Sequence, residues 1–146
     1  MILANALRLG NWVQLINNID DWQLVEAIVP MSNTENGIHL VGNALYNLPE
    51  QLKGVALTTD ILIQCGFTKR IVNASDPTKG YWYELAFMED KFKHEFEDLS
   101  LVCNGEINGD LSVVLAPYDQ YFTIEYLHEL QNLYFALTRK ELVIKF

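Results

Sequence analysis

Residues 125–137, Glu-Tyr-Leu-His-Glu-Leu-Gln-Asn-Leu-Tyr-Phe-Ala-Leu, set Leu127, Leu130, Tyr134 and Leu137 at helical spacing along one face. A helix this short is marginal in water unless that face is packed, so the rest of the chain has to supply a surface for it. Thr123 stands where a cap would be and Glu125 suits the positive first turn. Leu130 lies near the middle of the stripe, whereas Asn132 points the other way.

The surface comes from short runs that read as strands. Leu7 to Ile16 alternates around a Gly10-Asn11 kink, and Trp22 to Val29 follows until Pro30, which lacks the N–H of a central strand. Asn36-Gly37 is a turn dipeptide leading into Ile38–Val41, so the first third reads as an antiparallel meander. Gly42 to Gly54 reads as irregular from its turn residues. Tyr81, Tyr83, Leu85 and Phe87 then alternate with Trp82, Glu84, Ala86 and Met88. Glu89-Asp90 is expected to turn into a partner strand through Phe92 and Phe96. Leu99–Cys103 and Leu111–Leu115 form a further hairpin, with Asn104-Gly105 and Asn108-Gly109 both available for its loop. Asn73 to Gly80 is a loop, and Leu142 to Phe146 a terminal strand or docked tail.

A second helix is legible at Leu57–Phe67. Thr58 can cap it, Asp60 suits its first turn, and Ile61, Leu62 and Cys65 form an apolar face. Gly66 fits the left-handed residue that ends a helix, after which Phe67 can fold back. The expected architecture is therefore a single α+β domain over residues 1–146. Mainly antiparallel sheet packs in it against a short central helix and a longer C-terminal one. The length of 146 residues, with 50% hydrophobic content, is enough for one core without a metal or disulfide.

The formal charge is −9, unevenly spread. Residues 1–73 hold six acids and four bases, and residues 74–146 thirteen acids and six bases. Such a surface repels phosphate backbones and disfavours direct nucleic-acid binding. Solubility is the ordinary reason for such charge, with mimicry of DNA toward a basic site the alternative. Cys65 and Cys103 lie in or beside apolar runs and in no paired motif, which reads as buried free thiols in a reducing compartment. Met1 to Arg8 lacks the pattern of a signal peptide, and no apolar run approaches the ~20 residues of a membrane span. The expected location is the cytoplasm.

Motifs that carry chemistry are missing. Neither GxxxxGKS/T nor GxGxxG occurs. His39, His94 and His128 fall on three different elements, and His94-Glu-Phe-Glu-Asp98 is not HExxH. Cys65 or Cys103 would need one of those histidines as a base to act as a nucleophile. The carboxylates Glu84, Glu89, Asp90, Glu95, Glu97 and Asp98 are too many to single out a catalytic pair. No catalytic residue, metal ligand or cofactor is assigned, and the reading leans away from an enzyme. One feature of the last helix stands apart from its core face. At about 100° per residue, Ile124, His128, Gln131 and Phe135 make a second stripe. His128, Gln131 and Phe135 would bind a partner if the sheet covered only one side, and would be core if the helix were wedged deeper.

Three segments together resemble a known family. They are Leu7-Arg-Leu-Gly-Asn-Trp-Val13, Leu57-Thr-Thr-Asp-Ile-Leu-Ile-Gln-Cys-Gly-Phe67, and Tyr126 to Thr138 followed by Glu141-Leu142. The pattern is similar to that of short proteins common in Bacteroidetes genomes and in their phages and prophages. In that family "LRIGNxV", "LTxxxLxxxGF" and "LHxLQNLYFALTGxEL" recur in this order. Arg139 stands where the family usually has Gly, and Asn33–Gly54 is longer than usual. The family brings no catalytic residues with it, and implies a phage or mobile-element setting. The functional expectation is a non-enzymatic intracellular interaction or accessory protein, its partner a host or phage protein. The alternative is a small enzyme or small-ligand binder whose site assembles from residues distant in sequence.

Overall fold

The computed structural model describes residues 2, 4–32, 36–71, 81–86, 100–104, 111–116 and 120–145. They are α+β, with two antiparallel sheets. The chain divides into two compact units: Met1–Ala56 with Tyr126–Glu141, and Leu57–Glu125 with Leu142–Phe146.

In the first unit a 3-10 turn at Ala4–Ala6 precedes β1 (Trp12–Leu15), β2 (Asn18–Pro30) and β3 (Asn36–Leu40). These are the strands of the expected meander, paired in sequence order. β1 starts later than its alternation implies, because Gly10 sits at φ +83° and breaks the extended run. Asn36-Gly37 is no turn. Gly37 is a strand residue paired with Val29, and a Cβ there would lie 2.7 Å from the Met31 sulfur. A left-handed glycine occurs after β3, at Gly42, φ +80°. Gly42–Gly54 is also more regular than expected. It holds β4 (Tyr46–Asn47), a 3-10 turn at Pro49–Gln51 and β5 (Leu52–Gly54), giving the sheet order β4-β3-β2-β1-β5. β4 and β5 are too short for a periodic signal to show in sequence.

The core of this unit is Ile2, Leu7, Val13, Val25, Ile38, Leu40 and Leu52, with Leu15 and Ile28 packed against it. Val25 pairs with Leu40 and Ile28 with Ile38, although Val25 and Ile28 are three residues apart. Strict alternation would send them to opposite faces. The register shift between Val25 and Ala27 inserts Glu26 as a bulge and keeps both on the core side.

The long helix, α2 (Leu127–Thr138), belongs to this unit and packs against β1. It begins two residues later than its pattern implies. Thr123 is not its cap, since it lies in a strand opposite Ser112. Tyr126 takes the capping position in extended conformation, and the Glu129 carboxylate accepts its N–H at 3.0 Å. Leu127 also donates to the Val55 carbonyl at 2.8 Å. Leu127 and Leu130 are fully enclosed, while Tyr134 and Leu137 are half-buried. The helix ends at Arg139, φ 59°, whose N–H reaches the Phe135 carbonyl at 2.8 Å.

In the second unit α1 (Thr59–Gln64) forms as expected. The Thr58 hydroxyl accepts from Ile61 N–H, and Gly66 at φ +90° closes the helix. Gly66 N–H bonds to Ile63 and Phe67 N–H to Leu62, which turns Phe67 back into the interior. The sheet consists of β6 (Thr68–Ile71), β7 (Tyr81–Ala86), β8 (Ser100–Asn104), β9 (Leu111–Ala116) and β10 (Gln120–Ile124), in sequence order. β7 and the β8–β9 hairpin match their patterns. β6 and β10 were not expected. β6 is exposed along its whole length, so Thr-Lys-Arg-Ile carries no alternation, and its charges suit an edge strand.

Register aligns Tyr83, Cys103 and Val113 in one row and Leu85, Leu101 and Leu115 in the next. Thr59 of α1 lies beside the Tyr83 phenol, so the helix lies over this face. The tail from Leu142 is docked rather than stranded: Leu142 is buried and Lys145 N–H bonds to the Gln64 carbonyl at 2.9 Å. The Asn73–Gly80 loop, the Phe92–Phe96 strand and the loop between β8 and β9 lie outside the described residues.

Candidate functional site

The stripe on α2 is drawn inward at two of its three positions. His128 is 3% exposed and Gln131 1%, with Phe135 half-buried. Of the two readings of the stripe, the wedged helix is the one observed at His128 and Gln131. The helix sits deep enough that its second stripe also meets the chain, in this case the Leu7–Val13 segment.

Polar contacts make that meeting specific. Gln131 Nε2 donates to the Gly10 carbonyl at 2.9 Å, and its Oε1 accepts the Trp12 N–H at 2.9 Å. One buried carboxamide thus satisfies two backbone groups where the kink at Gly10 frees them. Asn11, fully buried, accepts from Arg8 N–H at 2.8 Å and donates from Nδ2 to the Asn132 side chain at 3.0 Å. Asn132 in turn donates to the Ala6 carbonyl at 2.8 Å. Asn132 therefore does not point away from the fold. The Arg8 guanidinium lies 3.9 Å from the Phe135 ring centre and forks onto the Glu141 carboxylate, one arm at 3.2 Å. Gly10 is also where Glu141 comes close, 3.4 Å from the position a Cβ would take. The Leu7–Val13 segment and the last helix with Glu141 are joined by this clasp.

A cavity of about 210 Å³ opens at the start of α2, lined by Ile2, Ala6, Lys53, Gly54, Tyr126, His128 and Glu129. Gly54 is required there, because a Cβ would run into the Tyr126 ring. The Tyr126 and His128 rings stack with centres 5.8 Å apart and planes 20° from parallel. Nδ1 of His128 is buried and has no hydrogen-bond partner among the described residues. Burial pushes this imidazole below its ordinary value of 6.5, the Glu129 charge opposing in part. Sequence spacing gives no hint of the cavity, since Ile2, Lys53 and His128 meet only through the sheet.

The remaining candidates are dispersed. Cys65 and Cys103 are buried free thiols, both pushed up to about 12 by loss of solvent. A thiol so placed is almost wholly protonated at neutral pH and a poor nucleophile. His39 is paired on the surface with Glu26 at 2.9 Å and tilts against the Tyr46 ring at 5.3 Å. His94 and the carboxylates from Glu89 to Asp98 lie outside the described residues. Among the described residues no three His, Cys, Asp or Glu side chains gather where they could hold a metal. No helix of the described residues is long and apolar enough to cross a membrane.

An apolar patch surrounds Gly37. Met31 is 57% exposed, Tyr46 51% and Val29 36%. Val29 is the register partner of Gly37, and Met31 and Tyr46 close over it. Large apolar side chains concentrated in this way are typical of contact surfaces rather than of scattered surface hydrophobics.

No protein-family model, no curated protein and no solved structure matches the chain.

Proposed function

We propose that the protein is a non-enzymatic intracellular accessory protein of phage or mobile-element origin that works by binding a host or phage protein. The observation that carries this reading is the exposed patch of Val29, Met31 and Tyr46 at the end of the first sheet. Glu26 stands on the same bulged strand, and the whole chain carries −9. A partner surface that is apolar at its centre and basic at its rim complements both. The protonated, buried thiols fit a reducing compartment and leave the two cysteines without an evident chemical task.

The test is crosslinking in host lysate, then reconstitution of the purified partner with the parent chain and with Met31→Ser and Tyr46→Ser. The expected result is a direct complex that both substitutions weaken about tenfold or more, as exposed anchor residues do. Unchanged affinity in both variants would remove the patch from the proposal. Failure to obtain any direct complex would remove the function itself.

A further inference from the structure

We propose that the cleft beside the β1–β2 turn binds a neutral saccharide, whose hydroxyl groups meet side-chain amides. The cleft measures about 430 Å³ and presents Asn17, Asn18, Asn47, Glu50 and Gln51 beside an apolar wall of Leu15 and Ile16. Pockets for small ligands run from about 300 to 1,000 Å³. Backbone sets its shape. The turn Ile16-Asn17 joins β1 to β2, and the turn at Pro49–Gln51 carries the chain from β4 to β5, the two edges of the sheet. Ile16 N–H bonds to the Gln51 carbonyl at 2.9 Å, which fastens one turn to the other.

The polar side chains here keep hydrogen-bonding capacity in hand. Gln51 commits its Oε1 to Leu48 N–H at 2.7 Å and retains Nε2 as a donor. Asn47 gives Nδ2 to the Ile38 and Leu45 carbonyls at 3.5 and 3.4 Å and retains Oδ1 as an acceptor. Asn18 reaches Asp21 through Nδ2 at 3.5 Å and likewise retains Oδ1. Asn17 and Glu50 are exposed, and neither side chain bonds to another described residue. A hydroxyl both donates and accepts, so a ring bearing several of them answers the amides and the carboxylate together.

Charge narrows the class further. The lining holds no Lys, Arg or His, so a phosphate or carboxylate ligand would face Glu50 without an answering cation. A lone cation would find a single exposed carboxylate, a weak attraction in water. Ile16 is 46% exposed and stands with Leu15 where the C–H face of a sugar ring can leave solvent.

The experiment follows the side-chain amides of Asn17, Asn18 and Gln51 by ¹⁵N-edited NMR as the intact chain is titrated with D-glucose, D-galactose, D-mannose and N-acetyl-D-glucosamine. Inorganic phosphate, ethylammonium and N-methylacetamide stand as the anion, the cation and the plain amide. The expected result is a saturable shift with at least one sugar, at concentrations on the order of 1–10 mM, and none with the other three probes. Asn17→Ala and Glu50→Ala should each weaken sugar binding about fivefold or more. Both residues are exposed, so the variants keep the fold needed to read the result. A saturable shift of the same size from phosphate, ethylammonium or N-methylacetamide would overturn the saccharide assignment. The absence of a saturable shift from every sugar, or sugar binding that both variants leave unchanged, would overturn the site.

Discussion

Gln131 and Trp12, 119 residues apart, are joined by a 2.9 Å hydrogen bond from the Trp12 backbone N–H to the Gln131 carboxamide oxygen. The same side chain holds the Gly10 carbonyl, so α2 takes this pair of backbone groups while Val25 of β2 takes the Gly10 N–H and the Asn11 carbonyl. Replacing Gln131 by Leu keeps the volume but strands two backbone groups. The expected loss is about 2–4 kcal/mol, read as a lower urea midpoint. A midpoint within error of the parent would show that the contact adds nothing.

Leu130 and Asn132 test how the same helix is divided between apolar and polar anchoring. Leu130 is fully enclosed, and Leu130→Ala should reduce stability by roughly 2–5 kcal/mol. Asn132 bonds to both Asn11 and Ala6, so Asn132→Ala should lower it by about 1–2 kcal/mol, more than a free surface residue would. Urea melts of the two variants beside the parent give both values. An Asn132 variant indistinguishable from the parent would reduce the clasp to Gln131 alone.

Arg139 occupies left-handed backbone, φ 59°, at the end of α2. A non-glycine residue there carries strain of about 1 kcal/mol. Arg139→Gly should therefore raise stability by roughly that amount, and Arg139→Val should lower it. Thermal melts at fixed pH settle the order of the three proteins.

The thiols set an alkaline limit. Burial holds Cys65 and Cys103 at about 12, above the ordinary value of 9.0. The folded state keeps protons that the unfolded state gives up. Their contribution to stability is thus complete below pH 9 and declines from there toward pH 12. Native labelling by a thiol reagent should be slow at pH 8 and become rapid only in denaturant. Fast native labelling of either cysteine would contradict its burial.

His128 sets an acid limit of opposite sign. Its folded value lies below 6.5, so the unfolded state binds the proton more readily. The stability it contributes is present above pH 6.5 and is lost as pH falls through the folded value. Lys53, Glu129 and Tyr126 line the same space, and none of them replaces the lost solvent. An NMR titration of the imidazole should give a midpoint below its ordinary value of 6.5. A midpoint at or above 6.5 would refute the assignment.

Legibility in the sequence followed locality. The capped helix at Thr59–Gln64 was readable because Thr58, Asp60, Gly66 and Phe67 each act within one turn. The alternation of Tyr81, Tyr83 and Leu85 gave β7 for the same reason. What could not be read depends on tertiary partners. Gln131 and Asn132 look like solvent-facing residues until Gly10 and Asn11 are placed against them. The cavity at His128 needs Gly54, whose role is to leave room for a ring 72 positions further along. The division into two units is marked by no Pro-, Gly- or Ser-rich linker at Ala56 or Tyr126.

The first unit is made from both flanks of the chain, with residues 57–125 inserted between them. On a ribosome this imposes an order of events. Strands β1 to β5 emerge well before α2, and the partners that α2 supplies to the Gly10 carbonyl, the Trp12 N–H and the Asn11 amide are missing while the insertion is synthesised. The insertion has its own sheet and its own capped helix, and apart from the short tail that follows α2 it is complete before the helix arrives. Closing the first unit then requires contacts across more than 100 residues, a slow step governed by loop entropy. Nascent chains released before residue 126 should carry an exposed first sheet and become substrates for chaperones, whereas the addition of the last helix should end that dependence abruptly.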